Sequence, residues 1–207
     1  MKTQRRPPTV SALALSFALL AGACQSSPRK KGEPQWLEAA PFLQVQIEDQ
    51  AARLPWVHGV EERVELIHWF AQVGEPAYAT LLELVQDPRP DVSASALAAL
   101  GATRDARLVE PLRAVELPPS TTTDLELERA RTLVRLGDWS QTPVLINGLR
   151  DERPMTRVLC LQTLREATHE TFGFEPASTE LERAEAIARW DRWWQSRAVD
   201  PLLEASF

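Results

Sequence analysis

The chain has 207 residues, 44% of them hydrophobic and 25% charged, a balance that fits one globular domain and excludes an intrinsically disordered chain. Its formal net charge is −6; three of its 23 basic residues (Lys2, Arg5, Arg6) lie in the first ten positions, so 20 remain downstream against 29 acidic ones. Such a surplus of carboxylates repels phosphate, which argues against a nucleic-acid partner and fits a solvated acidic surface.

The basic start is followed by an uncharged, Ala- and Leu-rich stretch over residues 10–23. Crossing a bilayer takes about 20 apolar residues, so this stretch is too short to span and fits a signal-peptide core. It closes on Leu20-Ala21-Gly22-Ala23-Cys24. Small residues before a Cys at this position resemble the lipobox of bacterial lipoproteins, with Ala21 standing where Leu is commonest. The resemblance implies that residues 1–23 are removed and that Cys24 is lipidated and becomes the mature N-terminus. It also implies a cell-envelope location and a membrane contact through the lipid. Gln25 after the Cys resembles an outer-membrane sorting signal, which implies a domain facing the periplasm. Residues 24–35, with Ser, Pro, Gly and Arg29-Lys30-Lys31, read as a flexible polar tether. With Cys24 lipidated only Cys160 is left, and one Cys forms no internal disulfide.

From residue 36 on, strong helix formers dominate and alternating patterns are rare, so the expected class is all-α. Residues 41–54 predict a first helix with Leu43, Ile47, Ala51 and Leu54 on one face. Pairs of helices are predicted over 61–73 and 76–86, then over 91–100 and a segment ending near Val115. Further pairs follow over 124–136 and 143–149, and over 154–167 and 179–197. Pro118-Pro119 and the Ser and Thr residues after them interrupt the series as a loop. A repeat underlies the layout. Val85, Asp87, Arg89, Pro90, Leu97 and Leu100 recur 64 positions later as Leu149, Asp151, Arg153, Pro154, Leu161 and Leu164. Gly74, Gly101 and Gly137 each follow an apolar-x-x-apolar motif, as a left-handed cap past a helix end would.

These units resemble the HEAT-like helical repeats, most closely at Leu136-Gly137-Asp138 through Leu149-Arg150-Asp151 and next at Asp91-Val92 through Leu100-Gly101. The resemblance covers roughly residues 61–167. It implies a short α-solenoid of helical hairpins over residues 36–207, with residues 41–54 as N-terminal cap and a Trp-rich helix at the C-terminal end. In that family the stacked helix pairs bind protein. Some short members attach bilin chromophores, a chemistry at odds with an exported chain.

The last helix opens on Thr179 and Glu182, spaced as a capping box. Ile187, Trp190, Trp193 and Trp194 then fall within one arc, with Glu185 and Arg189 as an i,i+4 pair on the wet side. Turned outward, Trp190, Trp193 and Trp194 make a binding surface for a sugar or a peptide; turned inward, they close the core with Phe172 and Phe174. His58, His68 and His169 lack the convergent spacing of metal ligands, and no phosphate loop or nucleophile elbow is present. The expectation is a non-enzymatic, metal- and cofactor-free interaction scaffold or adaptor with a protein partner. A binder of envelope polysaccharide or peptidoglycan is the alternative.

Overall fold

Proline opens three of the helices. Pro41, Pro90 and Pro154 stand in the first turn of α1 (Pro41–Arg53), α4 (Pro90–Thr103) and α8 (Pro154–Thr168), where their missing N–H leaves no bond unmade. The computed structural model describes residues 36–119 and 121–198, and the described residues are all-α, without a strand. The other helices are α2 (Val60–Val73), α3 (Tyr78–Leu84), α5 (Val109–Ala114), α6 (Thr123–Arg135), α7 (Thr142–Gly148) and α9 (Glu180–Ala198). Every predicted helix is present. The one over 76–86 is shorter than the pattern suggested, because a 3-10 turn over Glu75–Ala77 precedes it, and the one over 143–149 starts and ends one residue earlier. Residues 1–35, including Cys24 and the tether, lie outside the described residues.

The longer helices pack in chain order, α2 on α4, α4 on α6 and α6 on α8; the shorter ones lie beside them, α3 on α4 and α7 between α6 and α8. At the two ends α1 packs on α3 and α9 on α7. One apolar core runs from Ile47 through Phe70, Leu81, Leu97 and Leu112 to Leu136. A second runs from Ala130 and Val134 through Leu145, Cys160 and Leu164 to Phe174, Ile187 and Trp190. Both faces of α6 are thus buried, one toward each core.

Three polar bonds between helices and turns share one sequence spacing. Arg63 donates to Ser95 Oγ at 3.0 Å, Arg107 to Glu75 Oε2 at 2.8 Å and Arg131 to Thr163 Oγ1 at 3.2 Å, each across 32 residues, half of the 64-residue sequence offset. Turns between helices share one device. Asp87, Asp105 and Asp151 each accept from the backbone N–H of the residue two on, which is Arg89, Arg107 or Arg153, and from that arginine's side chain. A carboxylate held by both a backbone N–H and a planar guanidinium fixes the turn from two sides. At the equivalent turn before α7, Asp138 accepts instead from Ser140 and from Arg113, whose guanidinium lies 2.7 Å away.

Arginine also closes the loops. The chain has no lysine after Lys31. Arg129 donates to the carbonyls of Leu112 and Arg113, and Arg157, itself buried, to those of Asp151, Glu152 and Pro176. The rigid five-donor fork suits this task, in which several carbonyls converge on one side chain.

Two local expectations fail. Gly74 and Gly137 take the positive φ that favours glycine (68° and 102°), but Gly101 stays helical, and Arg104 leaves α4 in the left-handed conformation with φ 55° instead. Gly101 serves packing: a Cβ there would meet Thr132 Cα of α6 at 3.3 Å. Among the described residues Arg189 pairs with no carboxylate; its Nε donates to the carbonyl of Phe172 at 2.8 Å and holds the loop before α9.

Candidate functional site

Where α4, α6 and α8 lie side by side, their first turns leave an open groove of about 300 Å³. Its apolar floor is made by Ala94, Leu125, Leu127 and Leu159, and Asp91, Asp124 and Glu128 stand among its lining residues. The position of each follows from the helix starts. Thr122 caps α6 through Leu125 N–H, which places Asp124 in the first turn, as Pro90 places Asp91 in the first turn of α4.

The carboxylates are held in place. Asp124 accepts two bonds from Arg153, at 2.6 and 2.8 Å, and this guanidinium holds its pKa below the usual carboxylate value against a smaller opposing effect of burial. Glu128 pairs with Arg131, which is buried at the base of the groove and also donates to Thr163. Burial pulls the pKa of Arg131 down, and Glu128 acts the other way. Asp91 lies 3.8 Å from Arg63 and is mostly in solvent. Asp124, with its pKa lowered by Arg153, suits recognition of a ligand better than proton transfer.

The three tryptophans singled out in the sequence do not form one exposed surface. Trp190 is fully buried in the second core, edge-on to Phe172 with ring centroids 4.7 Å apart. The arc faces inward: Ile187 and Trp190 join Leu145 and Leu164 in the second core. Trp193 and Trp194 are half-buried around it, and Arg197 lies 5.0 Å from the Trp193 ring and 5.7 Å from that of Trp139. Trp190 is therefore a core residue, and only the outer edges of Trp193 and Trp194 are open to a ligand. The capping box forms as expected, Thr179 N–H donating to Glu182 Oε2 at 3.0 Å.

Cys160 is buried, and burial pushes its thiol pKa up to about 12, the opposite of what a nucleophile needs. His58, His68 and His169 are all exposed. Among the described residues, no group of three or more His, Cys, Asp or Glu side chains is placed to hold a metal ion, and no helix is long and apolar enough to cross a membrane.

Sequence reasoning missed the groove. Its one trace there is that Asp91 and Asp124 each follow a helix start, but nothing in a linear pattern shows that Leu127 and Leu159 flank the same opening. No family model matches the chain, and comparisons with curated proteins and with solved structures likewise give no match.

Proposed function

We propose that this chain is an interaction scaffold of the bacterial cell envelope, anchored by lipid on Cys24 and reaching its protein partner through the groove between α4, α6 and α8. The helices would form a short α-solenoid of HEAT-like hairpins, a reading supported by the 32-residue spacing of bonds between units and by the serial packing of the longer helices. The observation that carries the function is the groove itself. An apolar lining spread over three separate helices, with the arginine-paired carboxylates Asp124 and Glu128 beside it, matches the way a grooved helical surface takes an inserted side chain or a helix of a partner. Placement on the periplasmic side of the outer membrane rests on Gln25 and on the leader sequence.

The test is site-specific photo-crosslinking in cells that make the full chain. A photoreactive amino acid at the position of Ala94, in the groove, should give one discrete protein adduct, while the same probe at the exposed Ala106 should not. Adducts to polysaccharide or murein only, or identical adducts from both positions, would sink the reading. Fractionation beside it should find the chain in membranes, and the Cys24→Ala chain released from them.

A further inference from the structure

Leu37, Phe42 and Val45 are large apolar side chains that point into solvent, 63%, 76% and 54% exposed. Phe42 and Val45 are three residues apart on α1 and so share one side of it. The other side is the one that packs: Ile47 is fully buried, and Leu43 and Ala51 lie against the core. The backbone that carries the exposed trio is fixed. Leu37 N–H donates to Glu75 Oε1 at 3.0 Å. Trp36 stands edge-on to Tyr78 at 5.0 Å, with the Arg107 guanidinium 5.8 Å from its ring. These side chains therefore stand on a held element, where exposure costs hydration without any gain in packing.

The sequence places this element next to Cys24. Twelve residues lead from Cys24 to Trp36, so the covalent chain limits the start of the described domain to within about 40 Å of that sulfur. The same stretch carries Arg29, Lys30 and Lys31, while all 17 basic residues after it are arginines outnumbered by carboxylates. Positive charge close in sequence to exposed apolar side chains fits an anionic phospholipid surface, where cationic groups stay among the headgroups and apolar groups enter below them.

We infer that the face of α1 bearing Phe42 and Val45, together with Leu37, docks on the phospholipid surface to which Cys24 ties the chain. The domain then lies on the bilayer in one orientation instead of hanging from a tether. The inference rests on the lipid-anchor reading of Cys24. A second copy of the chain is the other apolar occupant of such a face. Glu48 and Asp49, exposed on the same helix, add like charge to both partners of that pairing, whereas at a lipid surface Arg29, Lys30 and Lys31 of the same chain offset them.

The test couples the full chain through Cys24 to a maleimide phospholipid in vesicles of phosphatidylethanolamine and phosphatidylglycerol that also contain a diazirine phospholipid. Cys160 is buried and does not compete for the maleimide. After illumination, lipid adducts should concentrate in residues 36–48. The Phe42→Ser/Val45→Ser chain, which alters no buried side chain, should keep its circular dichroism spectrum and lose most of those adducts. Adducts spread evenly over the domain, adducts centred on α9, or a pattern unchanged in the variant would overturn the inference. So would a doubled solution mass that the variant returns to that of a monomer, which assigns the face to a second copy. Incorporation of labelled palmitate at Cys24 in cells tests the anchor separately. Adducts in residues 36–48 without palmitate label would support the docking face and reject the natural lipid.

Discussion

The sulfur of Cys160 occupies the space that a side chain at position 148 would need: a Cβ built on Gly148 stands 2.5 Å from Sγ and 3.3 Å from Leu127 Cδ1. Helices α7 and α8 meet here with one partner reduced to backbone, which is why a glycine stands as the last residue of α7 despite its poor helix propensity. Gly148→Ala should therefore destabilise the fold by about 1–3 kcal/mol, the usual cost of overpacking, in spite of the better helix former. In a Cys160→Ala background the same substitution should cost less, because the sulfur is gone. Urea unfolding of the four chains gives the coupling directly. Equal costs in both backgrounds would assign the limit to Leu127.

Acid should unfold the protein through its turns. Asp151 accepts from the Arg153 side chain and backbone, and these bonds hold its pKa at about 2, against 3.8 without them. A carboxylate whose pKa is lowered by folding contributes stability that is fully present above 3.8 and is lost as pH falls toward 2. Asp87, Asp105 and Asp124 are shifted in the same direction by Arg89, Arg107 and Arg153, so the losses accumulate in one window. Between pH 4 and 2 the urea midpoint should fall steeply, and Asp151→Asn should make the fall shallower by up to about one proton taken up on unfolding. An unchanged slope in the variant would mean that the turn keeps its pairing in the unfolded chain.

Helix positions were legible because they rest on local chemistry: proline in first turns, apolar residues at helical spacing, and the Thr179–Glu182 box. The 64-residue offset was legible for the same reason, since Asp87-x-Arg89 and Asp151-x-Arg153 close their turns within three residues. What was not legible depends on partners distant in sequence. Gly101 looked like a cap and proved to be a contact with Thr132, 31 positions on. The direction in which Trp190 points is set by Leu145 and Leu164, and the groove exists only because three helix starts are brought level.

The three tryptophans of α9 should separate cleanly on mutation. Trp190→Ala removes the largest fully buried side chain and should cost about 3–5 kcal/mol, enough to unfold a marginal domain. Trp193→Ala and Trp194→Ala remove half-exposed rings and should cost about 1–2 kcal/mol each, by the apolar area they cover. Thermal unfolding followed by circular dichroism compares all three. A Trp190→Ala chain as stable as the other two would show that α9 does not complete the second core.

Arg157 offers the sharpest test of why arginine serves as the clamp. Its Nε and Nη2 both donate to the carbonyl of Pro176, at 2.9 and 2.7 Å, while Nη1 donates to the carbonyls of Asp151 and Glu152, at 2.9 and 2.8 Å. One planar group thus joins the turn before α8 to the loop before α9. A lysine keeps the charge but presents three donors from a single point, so it reaches one of the two sides and leaves carbonyls on the other unpaired. These carbonyls are part-buried, so each one left unpaired costs about 1 kcal/mol, toward the low end of the range for a buried acceptor. Arg157→Lys should therefore lose about 1–2 kcal/mol, a large part of what is lost in Arg157→Met, which keeps most of the apolar stem and no donor. Hydrogen exchange locates the damage: amides of the 169–179 loop and the first turn of α9 should lose protection, while those of α2 and α4 keep theirs. Full stability in Arg157→Lys would mean that charge alone secures the joint and that fork geometry contributes nothing.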